Sequence, residues 1–139
     1  MNNVNVNKDD CIKLVKSFIQ DLSFENSENI LKKNYDKNYI KDSMNVIFKS
    51  YDKKFFSLIL KYNLNCSFKN SNKELFIFEL DYFGYFEVSD YHNDDQKTLT
   101  AKGTKLLFPF VKDIVEFITK KGGIVPILLK EPDFSLKKV

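Results

Sequence analysis

Few side chains in this sequence are of the types that carry out catalysis or bind metals. The two cysteines, Cys11 and Cys66, are far apart and form no C-x-x-C pair, and the single histidine is His92. A structural zinc site needs about four such ligands at a characteristic spacing, which this set does not supply. The G-x-S-x-G, G-x-G-x-x-G and P-loop motifs are also missing from the sequence. We therefore expect a protein that is not an enzyme and that holds no metal or cofactor.

Length and composition predict one globular domain spanning residues 1–139. Of the 139 residues, 43% are hydrophobic and 29% are charged, which is ordinary for a folded protein. No apolar run approaches the ~18 residues that a membrane span needs. The polar start, MNNVNVNKDD, differs from the basic and then apolar pattern of a signal peptide. The expected location is the cytoplasm, with no insertion into a membrane.

The basic and aromatic residues narrow the classes of binding partner. The net charge is +3, and every basic residue is a lysine. Arginine is the usual residue for bidentate recognition of phosphate and guanine, so its absence argues against sequence-specific binding of nucleic acid. The chain has 14 Phe and 7 Tyr but no Trp. So much aromatic area in a small chain indicates either an aromatic core or an adhesive surface.

Alternation of apolar and polar residues predicts strands in the middle of the chain. The alternation is unbroken over residues 55–68 and returns over 76–88 after the polar turn KNSNKE. Two such strands predict an antiparallel hairpin with one face on a core. Gly84 falls on the apolar face, where we expect another part of the chain to approach the backbone closely. A third strand is predicted by three residues that alternate in the same way, Met44, Val46 and Phe48.

The apolar spacing changes to three and four residues from Leu106 onwards, which predicts an amphipathic helix. Thr104 is the expected N-cap of this helix and Gly122 its expected C-terminal cap. The adjacent acids Asp94 and Asp95 before it are interpreted as a solvated turn.

The N-terminal stretch CIKLVKSFIQDLSFEN fits either a helix or a strand, and periodicity alone does not decide between them. Strands followed by a helix favour an α+β fold, with an antiparallel sheet covered on one face.

Three segments, in the right order, resemble the SecB family of export chaperones. They are FIQDLSFENSENI at residues 18–30, ELFIFELDYFGYFEV at 74–88 and LLFPFVKDIVEFITKKGGIVPILLKEPDF at 106–134. The resemblance implies that the first element is a strand, and that a four-stranded antiparallel sheet carries a long amphipathic helix on one face. It further implies a homo-oligomer built as a dimer of dimers. The activity it implies is that of an ATP-independent holdase, which binds unfolded secretory precursors and delivers them to the SecA motor.

The resemblance also implies two sets of site residues. The positions that dock SecA correspond to Asp21, Glu25, Ile77 and Glu79. The positions that line the groove for client polypeptides correspond to Met44, Val46 and Phe48. The sequence pattern alone allows an alternative for each set. The acids could be ordinary solvated surface residues, and the three apolar residues could be ordinary core residues.

The sequence departs from the family in its charge and near its C-terminal end. Familiar members are strongly acidic and have a second helix after the D-F motif, whereas only SLKKV follows Phe134 here. We therefore expect a divergent, truncated member, for which partnership with SecA is open. The alternatives are a SecB-like chaperone dedicated to a toxin–antitoxin module or another single partner, and a small apolar-ligand-binding domain. The wide apolar arc of the helix, which includes Phe117, predicts an oligomer.

Overall fold

The computed structural model describes residues 11–28, 40–67, 74–89, 94–124 and 129. Four strands precede one long helix: β1 (Ile12–Asn26), β2 (Ile40–Ser50), β3 (Phe55–Ser67), β4 (Glu74–Val88) and α1 (Gln96–Lys121). The strands form one antiparallel sheet in the order β1-β4-β3-β2, and α1 packs on one side of it. We call that side the helix face and the other side the helix-free face. The predicted α+β fold is confirmed, whereas the turn between β3 and β4 and His92 lie outside the described residues.

The helix face of the two central strands forms the core. Every second residue of β3 from Phe56 to Cys66 is buried, and β4 alternates in the same way from Phe76 to Val88. Their partners from α1 are buried apolar residues, Leu99, Leu107, Phe108, Val111 and Val115. The alternation in the sequence therefore did predict which residues face the core. Burial raises the pKa of the Cys66 thiol, in keeping with its place among apolar side chains.

The helix and the sheet approach each other through two glycines. A Cβ atom added to Gly84 would lie 2.6 Å from Cδ2 and 3.0 Å from Cγ of Leu107. A Cβ atom added to Gly103 would lie 2.5 Å from Cδ1 of Leu58. One glycine belongs to the sheet and the other to the helix, so each surface makes room for a leucine of the other. The close approach expected at Gly84 is confirmed.

The start of α1 differs from the prediction. The helix begins at Gln96, and its N-cap is Asp95, whose side chain accepts a hydrogen bond of 2.8 Å from the backbone N–H of Thr98. This bond holds the pKa of the Asp95 carboxyl below its usual range. Thr104 is therefore not the cap: it is buried inside the helix, and its hydroxyl donates to the carbonyl of Thr100. The first turns are largely polar, so the apolar period did not reveal them.

The C-terminal end of α1 agrees with the prediction. Gly122 is the C-cap, and its backbone N–H donates to the carbonyl of Ile118. Gly122 also contacts the ring of Phe24 in β1, and a Cβ atom there would lie 2.6 Å from that ring. No helix among the described residues has both the length and the apolar content that a membrane span requires.

The ambiguous N-terminal stretch is a strand, as the resemblance implied. β1 pairs with β4 along its length, with irregularities between Leu14 and Lys16 and between Ile19 and Asp21. Val15 is the additional residue at the first irregularity and Gln20 is the additional residue at the second, so β1 has two β-bulges. Each bulge shifts the alternation of faces by one residue, which explains why no single period fitted this stretch.

A polar cluster joins the start of β1 to the start of α1. The buried thiol of Cys11 donates a hydrogen bond of 2.8 Å to the Asp94 carboxylate, which also accepts one of 2.6 Å from the Lys102 ammonium group. Asp94 is therefore not part of a solvated turn, in contrast to the prediction. Burial and the hydrogen bond to Asp94 raise the pKa of the Cys11 thiol, because both disfavour the thiolate.

Replacing Gly84 by Ala tests the contact between helix and sheet. The new methyl group would overlap two terminal carbons and the Cγ atom of Leu107, which is fully buried, so a rotation of that side chain does not relieve the overlap. We expect the free energy of unfolding to fall by about 1–3 kcal/mol. Urea denaturation of Gly84→Ala, Leu107→Ala and the double variant measures it. Strict additivity of the two changes would contradict the contact, since a shared contact makes the double loss smaller than the sum.

Replacing Asp94 by Asn tests the cluster around Cys11. Removing the carboxylate charge while Lys102 stays should lower the pKa of the thiol, because the ammonium group favours the thiolate. The rate of reaction with a soluble disulfide, followed against pH, should therefore rise at a lower pH in Asp94→Asn than in the wild type. Asp95→Asn is the matched control, because its carboxylate caps the helix and does not accept a bond from the thiol. An unchanged profile in Asp94→Asn would exclude the contact.

Candidate functional site

Strand pairing brings the four residues predicted to dock a partner together on the helix-free face. Glu79 and Ile77 alternate with the buried residues of β4 and so point away from the helix. On β1, Glu25 lies directly opposite Ile77, and Ser23 lies directly opposite Glu79. Asp21 comes two residues before Ser23 and lies on the same face. All three acids are exposed, and none of them forms an ion pair within the part of the chain that the structure describes. We call Asp21, Glu25, Ile77 and Glu79 the acidic patch.

One member of the acidic patch, Asp21, forms a like-charge pair with a residue of the neighbouring strand. Asp21 lies directly opposite Asp81, and on the other side of Asp81 is Lys61, which forms an ion pair with it at 3.1 Å. Like charges in directly opposite positions of a sheet destabilise it. The charge of Asp21 therefore opposes that of Asp81, and the ion pair with Lys61 offsets part of this repulsion.

A shallow open pocket lies at the end of the acidic patch. It has a volume of about 200 Å³ and is lined by residues of β1, β4 and the segment that follows β1: Glu25, Asn26, Ser27, Leu75, Phe76 and Ile77. The side-chain amide of Asn26 donates to the carbonyl of Gly122 at 2.6 Å, which ties this end of β1 to the end of the helix. The pocket offers a carboxylate beside apolar carbon, which suits a basic side chain with an apolar stem.

The three residues predicted to line the client groove lie on the helix face of β2, at the edge of the sheet. Met44 pairs with Tyr62, Val46 with Leu60 and Phe48 with Leu58 of β3. Their inner sides pack against the core, and the ring of Phe48 stacks on that of Phe56 at 5.2 Å. All three stay half-buried, because no further strand pairs with β2 among the described residues. They form an apolar ledge, the β2 ledge, that is open on its outer side.

One polar contact beside the β2 ledge was not predicted from the sequence. The hydroxyl of the buried Tyr62 donates to the carboxylate of Asp42 at 3.2 Å, which links the edge strand to the core strand. Burial, followed by the nearby charge of Asp42, raises the pKa of Tyr62 well above its usual range. The alternation of β2 could have indicated Asp42, since its position shares the helix face with four apolar residues.

A second exposed apolar surface lies on the helix side. Phe117 of α1 is 58% exposed, and Leu106 and Phe110 are also exposed. The ring of Phe110 stacks on that of Tyr82 with a centroid distance of 5.9 Å. Tyr82 pairs with Ile19 of β1, which is also exposed. The predicted surplus of apolar area on the helix is therefore present, and it continues onto the edge of the sheet. No group of three or more potential metal-ligating side chains lies together in the described ranges.

Comparison with known proteins agrees with this arrangement. A sequence profile described as preprotein translocase subunit SecB matches residues 5–136. The chain belongs to the SecB family. The protein-export protein SecB of Agrobacterium fabrum is 32% identical over 127 residues, which cover 89% of this chain and 78% of the relative. That of Ruegeria pomeroyi is 30% identical over 129 residues, with 88% and 76% covered.

A solved structure resembles the chain in fold. It is a SecB-like chaperone of Mycobacterium tuberculosis in complex with a ChAD peptide from an antitoxin. The TM-score is 0.62 at 12% sequence identity, and the match covers 88% of this chain and 91% of that one. Membership in the SecB family thus makes the chain a chaperone of the protein-export class, and the family resemblance in the sequence is confirmed.

Replacing Asp21 by Asn tests the cost of the like-charge pair. We expect the free energy of unfolding to rise by about 0.2–1 kcal/mol, because the repulsion from Asp81 is removed while the side-chain shape is kept. Urea denaturation at low salt measures this, and about 0.5 M salt should reduce the difference by screening. Glu25→Gln is the matched control, because Glu25 faces Ile77, and its stability should not change. A stability loss in Asp21→Asn would contradict a net repulsion between Asp21 and Asp81.

Proposed function

We propose that this chain is an ATP-independent holdase of the cytoplasm, which binds unfolded secretory precursors and delivers them to the SecA motor. The observation that carries the proposal is the acidic patch, in which strand pairing gathers three exposed carboxylates around Ile77 although the whole chain has a net charge of +3. None of the three carboxylates forms an ion pair within the described part of the chain, so the packing of the sheet does not account for their grouping. A local negative surface on a basic protein is what a docking site for a basic partner requires.

Client binding in this proposal takes place on the β2 ledge. An unfolded polypeptide exposes apolar side chains, and each Å² of apolar surface that it buries contributes roughly 25 cal/mol. Met44, Val46 and Phe48 offer such a surface beside a strand edge, where an extended client can also form backbone hydrogen bonds. Apolar burial has no sequence requirement, so one ledge serves many clients. It also involves no chemical step, so holding needs no nucleotide.

Delivery in this proposal uses the other side of the sheet. The acidic patch lies on the helix-free face and the β2 ledge on the helix face, so the motor and the client contact opposite surfaces of the same four strands. A charged site of this kind accelerates encounter with a basic partner and weakens as salt screens the charges. We further propose that the exposed apolar surface of α1 joins copies of the chain into a dimer of dimers.

A second candidate function is a chaperone dedicated to one partner, such as an antitoxin. The likeness in fold to the M. tuberculosis chaperone, which was solved with an antitoxin peptide, motivates this candidate. The two candidates differ in what the acidic patch does. A dedicated chaperone needs only the β2 ledge, whereas a chaperone that delivers to SecA needs the patch as well.

Two variants, one for each face, test the proposed function. We expect Val46→Ser/Phe48→Ser to lose most of the ability to suppress aggregation of a denatured precursor, because the ledge becomes polar, while light scattering shows an unchanged mass. We expect Glu79→Lys to keep that ability and to lose binding to SecA, measured by isothermal titration at low salt and at ~0.15 M salt. Each variant thus serves as the control for the other.

The outcomes separate the two candidates. Normal holding by the ledge variant would contradict the client site. Absence of SecA binding by the wild type would favour the dedicated chaperone. Unchanged SecA binding by Glu79→Lys would contradict the acidic patch as the docking site. A requirement for ATP in the aggregation assay would overturn both candidates.

A further inference from the structure

The helix-free face carries a continuous apolar row that neither the fold nor the proposed sites explain. Strand pairing places Phe18 opposite Phe83, Phe83 opposite Ile59, and Ile59 opposite Ile47. The row therefore contains one residue from each of the four strands and crosses the whole width of the sheet. We call Phe18, Phe83, Ile59 and Ile47 the apolar row.

The apolar row is exposed at both of its ends. Phe18 is 41% exposed and Ile47 is 45% exposed, and the rings of Phe18 and Phe83 stack at 4.8 Å. The helix covers the opposite face, and a sheet face that is left to solvent ordinarily carries polar residues. Single exposed apolar residues need no explanation, but a contiguous group that is rimmed by charges indicates a contact surface.

The charges beside the row differ on its two sides. Towards the acidic patch, the next residues on β1, β4 and β3 are Asp21, Asp81 and Lys61, and Glu79 follows. Asp81 forms an ion pair with Lys61, so among the described residues the acids on this side without an ion pair are Asp21 and Glu79. On the other side, Tyr85 follows Phe83, and the neighbours at the two edges of the sheet are Lys16 and Lys49. An occupant of the row must therefore present apolar side chains to the sheet and basic side chains along the flank next to the acidic patch.

The spacing of the row favours a helix as the occupant. Adjacent strands are about 4.8 Å apart, so four side chains repeat at that distance over roughly 14 Å. Along an α-helix, one face repeats about every 5.4 Å, which is close to this spacing. Along an extended chain, side chains on one face repeat about every 6.8 Å, so they do not match the spacing of the four residues in the row. About ten helical residues would span the row.

We propose that the apolar row binds a basic amphipathic α-helix of the protein that docks at the acidic patch. The apolar side of that helix lies on Phe18, Phe83, Ile59 and Ile47, and its basic flank faces Asp21 and Glu79. The inference rests on the proposed function for the acidic patch and extends it, because it specifies the secondary structure, the orientation and the side-chain chemistry of the partner segment.

Peptide binding to the full chain tests the proposal. The probe is a fluorescein-labelled Leu/Lys peptide of about 14 residues, with Leu at helical spacing (i, i+3, i+4, i+7) and Lys along one flank. One control peptide has the same composition with Leu and Lys in strict alternation, and another has Glu in place of Lys. Fluorescence anisotropy gives the dissociation constant, and circular dichroism reports helix formation on binding.

Neighbouring residues of β2 provide matched variants of the two faces. We expect Phe18→Ser/Ile47→Ser to weaken binding of the helical peptide at least about tenfold and to leave precursor holding unchanged. We expect Val46→Ser/Phe48→Ser, on the opposite face, to change peptide binding by less than about twofold, the size of an ordinary remote effect. Glu79→Lys should also weaken binding, and the Glu-containing peptide should not bind.

The outcomes that contradict the inference are distinct from those that contradict the proposed function. If Glu79→Lys loses the peptide but the Phe18→Ser/Ile47→Ser variant binds it normally, the docking patch stands and the apolar row is not part of it. Equal binding of the alternating peptide would exclude a helix. A self-association of the wild type that competes with the peptide and is lost in the Phe18→Ser/Ile47→Ser variant would assign the row to a second copy. If neither variant alters binding, both the row and the patch are wrong.

Discussion

The contact between Leu107 of the helix and the bare backbone of Gly84 sets how closely α1 lies on the sheet. Gly84 belongs to a central strand and lies on its apolar face, so the contact is made on the face of the sheet that the helix covers. Alternation then separates neighbouring side chains: Phe78 and Leu80 turn to the core, and Ile77 and Glu79 turn outwards. The acidic patch is exposed because the helix occupies the other face, and the β2 ledge is apolar because it continues the core.

Most of the fold could be predicted from the sequence because β2, β3 and β4 alternate without interruption along the helix face. β1 could not be assigned from its pattern, and its two bulges give the reason. Its residues on the helix face follow one another at intervals of two and three: Ile12, Leu14, Ser17, Ile19, Leu22 and Phe24. Ile12, Ile19 and Leu22 are then spaced by seven and three residues, which also suits one side of a helix. The motifs shared with the SecB family supplied what the period did not.

Other features depend on pairing between distant segments, which no local pattern records. The first turns of α1 are polar, so the spacing of apolar residues does not reveal that they are helical. They are stabilised instead by the Asp95 cap and by the hydrogen bond between Lys102 and Asp94. The apolar row is a stronger case. Phe18, Phe83, Ile59 and Ile47 come from four different strands, and only the order β1-β4-β3-β2 makes them neighbours. The residues of the acidic patch could be named in advance only because the resemblance to the SecB family implied them.

The two edge strands differ in how they respond to a gain or loss of one residue. In β1 a bulge can take up an additional residue or release one, so the side chains beyond it return to their faces. β2 pairs with β3 in unbroken register from Ile40 to Ser50. An insertion or deletion within it would exchange the two faces, bringing Ile47 to the core side and Val46 outwards. The length of β2 is therefore constrained as tightly as its composition, whereas sequence drift in β1 can include changes of length.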